Sequence, residues 1–280
     1  MYVNQAARKY DVIVVGELNV DLLLNHIASF PEIGKEKFAR QMTLTLGSSA
    51  AIFASNLSSL GARVAFIGKI GTDAFGDLVL EHLQRQKVDT SMIIRSAQVE
   101  TGATIGFNFG NDRAMVTYPG AMEHFTYDEI PLEKLSQARH LHFSAYFFQP
   151  ALQKNVADLF SEARKAGLTT SFDMQCDPAE QWSLDYKALL PHVDIFLPNE
   201  SELLALTRKS SLEEAVNDLK GYAGILAVKL GSKGSMTIAK GNTIYMPAFP
   251  VTHLVDTVGA GDSFGAGFLY RFLHNAPIAA

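Results

Sequence analysis

Short runs of β-rich apolar residues recur along the chain at 11–15 (DVIVV), 63–67 (RVAFI), 139–143 (RHLHF), 169–173 (TTSFD), 193–197 (VDIFL) and 224–229 (GILAVK). Within each run apolar residues occupy consecutive positions, the pattern of strands buried on both faces. Helical patterns separate them. The clearest spans 151–166, where Leu152, Val156, Leu159, Phe160 and Ala163 form one apolar stripe and Gly167 supplies the stop. Others fit at about 48–60, 74–86, 199–206 and 211–220. This alternation predicts an α/β fold built on a doubly wound, mainly parallel sheet, with ligands at the carboxyl ends of its strands.

Two stretches break the alternation, at about 17–46 and about 97–121. In the second, "GATIGFNFG" and "RAMVTYPG" read as an antiparallel pair turned by "GNDR". Together the two inserts are expected to make a small β-sheet over the strand ends, a lid able to close on a substrate and exclude water. A plain decorative hairpin is the alternative. The chain, 1–280, reads as one α/β domain carrying these inserts, with no internal repeat and no low-complexity segment.

With 48% hydrophobic and 19% charged residues among 280, the chain can bury a large core. A net charge of -5 without a Lys/Arg cluster argues against nucleic acid as a partner. Apolar stretches such as "LHFSAYFF" fall far short of the ~20 residues a membrane span needs. The N-terminus lacks the apolar region and cleavage site of a secretory signal. The single cysteine, Cys176, cannot form an internal disulfide and reads as a buried structural thiol, so a cytoplasmic location is expected.

Most of the chemistry is concentrated in residues 255–273, "VDTVGAGDSFGAGFLYRFL". Gly259, Ala260 and Gly261 precede a helical pattern through Phe264, Phe268, Leu269 and Phe272. Side chains this small let successive backbone amides turn toward one point, and the helix dipole adds positive charge there. That arrangement predicts an anion hole. Transfer of a phosphoryl group to a hydroxyl needs such donors together with a carboxylate to take the proton. Asp262 follows the glycines directly, and with an ordinary pKa of ~3.9 it is expected to be ionised at neutral pH. A helix N-cap with close-packing glycines is the competing interpretation. No G-x-x-x-x-G-K-[ST] loop is present, and "VIVVGELNVD" has one glycine where a dinucleotide site wants three.

The segment "DTVGAGDSFGAGF" resembles the C-terminal signature of the ribokinase-like (PfkB) carbohydrate kinases. Similarity continues through "VVGELNVD", "PEIGKEKFA", "IGKIGTDAFG", "TGAT", "FLPNESEL" and "AVKLGSKGS". The resemblance implies a doubly wound sheet with a small β lid and ATP-dependent phosphorylation of a sugar, sugar acid or nucleoside. By position it makes Asp262 the general base and the amides of Gly259, Ala260 and Gly261 the anion hole. Asn19 and Asp21 would hold substrate hydroxyls, with Gly47, Ser48 and Ser49 as further contacts. Asn199 and Glu202, by themselves a helix start with an N-cap, would organise Mg2+ and the phosphates, and Lys229, Gly231 and Gly234, by themselves a hairpin turn, would flank the nucleotide. Asp256 and the Val258 carbonyl match part of a monovalent-cation (K+) site. Gly68, Gly71, Asp73 and Gly76 read as structural turns, and His140 and His142 as structural. An exposed lid edge predicts a homodimer through the lid.

Two departures from the family pattern bear on function. At "LGSSAAIFASN" a Gly-Gly pair is replaced by Gly47-Ser48, and Ile52 stands where relatives carry a substrate-touching asparagine. This implies a less polar pocket wall. Few residues follow Asp262 where relatives continue, so the resemblance implies a shortened C-terminus with the nucleotide and cation sites completed differently. The alternative function is then a catalytically weak sugar-binding homologue with lost nucleotide affinity.

Overall fold

The computed structural model describes residues 8–109, 112–251 and 258–277. In chain order, the first half contains β1 (Tyr10–Val15), β2 (Asn19–Asn25), β3 (Gln41–Leu46), α1 (Ser49–Ser59), β4 (Val64–Gly71), α2 (Ala74–Arg85), β5 (Asp89–Ser96), β6 (Gly102–Phe109) and β7 (Asp112–Tyr118). The second half contains β8 (Ala138–Ser144), α3 (Pro150–Gln153), α4 (Val156–Lys165), β9 (Thr169–Asp173), α5 (Tyr186–Leu189), β10 (Ile195–Phe196), α6 (Glu200–Thr207), α7 (Leu212–Leu219), β11 (Ile225–Lys229), β12 (Ser235–Ala239), β13 (Asn242–Met246) and α8 (Ala260–Leu273).

The large sheet runs β13-β12-β11-β10-β9-β8-β1-β4-β5, parallel from β11 to β5 and closed at one edge by the antiparallel β12 and β13. Consecutive apolar residues serve its two faces. On β1, Ile13 and Val15 face a core shared with Leu159 and Phe160 of α4 and Leu203 of α6, while Val12 and Val14 face α1, α2 and α8. The sheet is therefore covered on both sides, as the unbroken apolar runs require. Phe172 of β9 stands near the middle of one face, stacked on Phe196 at 5.5 Å and beside Phe143 and Phe160 at 6.1 and 6.0 Å. Phe172→Ala is expected to cost about 3–5 kcal/mol, read as a lower urea midpoint with an unchanged slope.

Both inserts contribute to a second, smaller sheet of order β3-β2-β6-β7. The β6–β7 pair is antiparallel, whereas β2 and β6, far apart in sequence, pair in parallel from Asn19↔Gly102 to Leu24↔Phe107. Gly110 and Asn111 of the "GNDR" turn lie outside the described residues. The expected helix over 151–166 is two helices, since Asn155 leaves helical geometry and its side chain donates to Asp158 at 3.1 Å. Strands β5, β12 and β13 have no counterpart among the six runs read from sequence, because they lie toward the sheet edges and are less uniformly apolar.

Candidate active site

Strands β1, β8, β9 and β11 all end at one edge of the large sheet, and α8 begins there. Gly259 caps α8 at φ 73, a conformation natural to glycine, and no side chain caps the helix. Its carbonyl accepts from the Ser263 amide at 2.9 Å and the Ser263 hydroxyl at 2.8 Å, and Asn56 of α1 donates to that hydroxyl at 3.0 Å. A Cβ on Gly259 would stand 3.2 Å from Ile52 Cγ2, so Ile52 packs against this turn. Asp262 occupies the third helical position and is not the N-cap. It is 7% exposed, and the Gln175 side-chain amide donates to its Oδ1 at 3.2 Å. Gln175 itself has φ 62, and this left-handed turn after β9 carries its amide to Asp262.

The expected fully ionised Asp262 is corrected by this setting. Burial, reinforced by the charge of Asp173, pushes its pKa up to about 7, against the opposing pull of Lys229 and Gln175. Lys229 is itself buried and donates to Asp173 Oδ2 at 2.6 Å. Burial and Asp173 likewise raise Glu202 to about 7. Glu202 and Asn199 form a reciprocal cap at the start of α6: Asn199 Oδ1 accepts from the Glu202 amide at 2.8 Å and Glu202 Oε2 accepts from the Asn199 amide at 2.8 Å. Gly231 (φ 58) and Gly234 (φ 98) shape the turn joining β11 to β12. A Cβ on Gly234 would lie 2.0 Å from the Met246 carbonyl oxygen, so only glycine lets β13 approach. Near this turn a groove of about 320 Å³ is lined by Phe264 and Phe268 of α8, Ser235 and Thr237 of β12, and Met246 and Arg271.

Nearer the small sheet, Asn19 donates to Asp21 Oδ1 at 3.2 Å and to Thr104 Oγ1 at 2.9 Å, and Thr104 shares a 3.0 Å bond with Thr117. All three of Asn19, Asp21 and Thr104 are buried. Gly47 passes so close that a Cβ there would lie 2.3 Å from Asp21 Oδ1. Ser48 is bound locally: its hydroxyl donates to the Glu17 carbonyl at 2.6 Å and accepts from the Ala51 amide at 2.9 Å, capping α1. Ser49 is the half-buried first residue of that helix. Val258 precedes the Gly259 turn and is exposed, while Asp256 lies outside the described residues.

Glu17, Asp173, Gln175 and Thr104 were not among the residues singled out from sequence. Asp173 offered the clearest signal, a carboxylate closing an otherwise buried strand. Glu17 is enclosed at the start of α1, with Oε1 accepting from the Ala50 amide at 3.3 Å and Oε2 buried without a partner. Burial pushes its pKa up to about 8. Cys176 is exposed, contrary to expectation, because it lies on the loop turned outward after Gln175. His140 and His142 are buried in a chain of hydroxyls, both bonding Ser171 Oγ at 2.7 Å, and His142 stacks on Phe53 at 3.7 Å. Burial holds the His140 pKa down at about 3. Asp73 caps α2, its Oδ1 accepting from the Gly76 amide at 2.8 Å.

The chain as a whole has clear parallels among known proteins. The sequence profile of the pfkB family carbohydrate kinases matches residues 9–280. An uncharacterised sugar kinase of Archaeoglobus fulgidus is 33% identical over 227 residues, covering 79% of this chain and 88% of that protein. The 2-dehydro-3-deoxygluconokinase of Bacillus subtilis is 28% identical over 280 residues, covering 95% of this chain and 84% of its own. Among solved structures, adenosine kinase from Sinorhizobium meliloti superposes with a TM-score of 0.82 at 23% identity, covering 97% of this chain and 90% of that one. Arabidopsis thaliana ribokinase, solved with ribose and ATP, gives 0.81 at 24% identity, with 96% and 88% covered. The protein is a phosphotransferase of the carbohydrate kinase class. The chain belongs to the pfkB family. Among the described residues, no helix is long and apolar enough to cross a membrane.

Proposed function

We propose that this chain transfers the γ-phosphoryl group of ATP to a hydroxyl of a small sugar-like acceptor, a sugar, sugar acid or nucleoside, with Asp262 as general base. The observation that carries this reading is the placement of one buried carboxylate at the third position of α8, directly after the Gly259 turn and held by Gln175. The amides of Gly259, Ala260 and Gly261 receive the phosphoryl oxygens, and Asn19 and Asp21 hold acceptor hydroxyls, with the Gly47–Ser49 backbone alongside. Lys229, Gly231 and Gly234 adjoin the nucleotide, and the apolar groove lined by Phe264 and Phe268 suits its base. The small sheet serves as a lid. A cytoplasmic location goes with ATP as donor.

Magnesium belongs with the phosphates. Glu202, buried at the start of α6, is the residue that would hold such an ion, brought in with the nucleotide. Bound there, it would neutralise phosphate charge. A monovalent cation at Asp256 and the Val258 carbonyl is checked by comparing turnover in potassium and sodium chloride. A coupled ADP-release screen across sugars, sugar acids and nucleosides tests the whole reading. Magnesium-dependent ADP formation with at least one acceptor is expected, and none with any acceptor would sink it.

The lid also supports a homodimer. Leu44, Leu22, Ile105 and Val116 pair in register across all four strands of the small sheet, and Leu44, Ile105 and Val116 are exposed. This face is opposite Asn19, Asp21 and Thr104, so a second copy could cover it without blocking the pocket. Sedimentation is expected to show a dimer at micromolar concentration, and Val116→Lys should shift it to monomer.

A further inference from the structure

Lys229, the last residue of β11, is held more firmly than a residue that merely flanks a nucleotide needs. Its amide donates to the Pro198 carbonyl at 2.9 Å, and its side chain turns inward to the 2.6 Å ion pair with Asp173. A Cβ on Gly261 would stand 3.6 Å from its Nζ and 3.7 Å from its Cδ. The ammonium therefore lies alongside Gly261, the second residue of α8. Gly261 has no side chain to fill the space between them.

As a purely structural pair this arrangement is poor. Burying two charges costs several kcal/mol, and apolar residues of similar size often pack as well or better. Asp173 Oδ1 is also left buried without a partner, so the pair is not completed by hydrogen bonds. Asp173 bonds the ammonium directly, and Glu202 of α6 and Asp262 of α8 add to the negative charge that raises its pKa. A phosphoryl group entering beside these carboxylates would be repelled by them and attracted by the Lys229 ammonium as well as by the nucleotide's magnesium.

Resting on the kinase reading above, we propose that Lys229 is a catalytic residue whose ammonium meets the phosphoryl group in transfer, with Asp173 positioning it beside the α8 terminus. In that step a bond forms between the acceptor oxygen and the γ-phosphorus as the bond from phosphorus to the β–γ bridging oxygen breaks. The electron pair of the broken bond leaves with ADP, and the acceptor's proton passes to Asp262. Negative charge spreads over the three equatorial oxygens, where the helix amides and the Lys229 ammonium can share it. Lysine, a compact charge on a flexible stem, can turn from a carboxylate to a phosphoryl oxygen with little motion.

The test compares wild type, Lys229→Met and Lys229→Arg by steady-state kinetics and by calorimetry with Mg-ADP, alone and with aluminium fluoride. Lys229→Met should lower kcat by about 10²–10³-fold while KM for ATP stays within about threefold. Wild type should bind ADP more tightly when aluminium fluoride and acceptor are present. Lys229→Met should lose that gain but bind ADP alone as before, and Lys229→Arg should recover part of both. If Lys229→Met does not fold, Lys229→Gln in the same calorimetry decides. A variant without the ammonium that keeps kcat within about fivefold, or keeps the fluoride gain, overturns the inference. Wild-type turnover separates the two levels. A wild type inactive on every acceptor removes the kinase reading and this inference with it, whereas an active wild type and an equally active Lys229→Met remove only the inference.

Discussion

Asp262→Asn is expected to lower kcat by about 10²–10⁴-fold, the usual worth of a positioned general base, with little change in acceptor binding. Asparagine is nearly isosteric and leaves the Gln175 contact possible, so the loss would report proton transfer and not packing. The pH dependence follows from the same group. With its pKa pushed up to about 7 by burial and by Asp173, Asp262 is mostly protonated at pH 6 and mostly ionised at pH 8. Only the ionised form can accept the hydroxyl's proton. Wild-type kcat/KM should therefore rise with pH through a midpoint near 7, a limb that Asp262→Asn should abolish. A limb that survives in the variant would assign it to another group.

Glu17 should make the protein less stable as pH rises, the reverse of the usual carboxylate behaviour. Its folded pKa of about 8 lies above the ordinary value of 4.5, so between those limits the folded chain keeps a proton that the unfolded chain has released. Stability from this group is fully present below about pH 4.5 and is lost as pH climbs to about 8, at roughly 1.4 kcal/mol per pH unit. Glutamine keeps the shape and has no proton to lose. Melting of wild type and Glu17→Gln from pH 5 to 9 should show the variant gaining on wild type by a few kcal/mol toward alkaline pH. Parallel curves would mean that Glu17 is not held protonated.

Much of the fold was legible because buried parallel strands must be apolar on both faces, and β1, β4, β8, β9, β10 and β11 announce themselves that way. Edge strands escape this rule. The sequence of β5, DTSMIIRS, mixes polar and apolar residues because its outer side has no neighbour, and β12 and β13 lie behind a glycine turn that reads equally well as a loop. In the site, Asp262 and its glycines stood out because the chemistry is contiguous in sequence. Its actual environment did not. Gln175 lies 87 positions away and Asp173 further still, so neither the hydrogen bond nor the raised pKa could be read from a neighbouring residue. Ser48 shows the opposite problem: a hydroxyl in a motif looks available for substrate, and the structure engages it in capping α1.

The parallel pairing of β2 with β6 has a consequence for how the protein forms. These strands are joined by two helices and three other strands, so their contacts are among those of high sequence separation and are closed against a large loop entropy. During synthesis β2 has no β6 to pair with until the chain has grown past residue 109. Asn19 and Thr104, which share a 2.9 Å bond across that pair, then meet late. Acceptor should therefore recognise the finished protein but not its folding intermediates, and should slow unfolding more than it speeds folding.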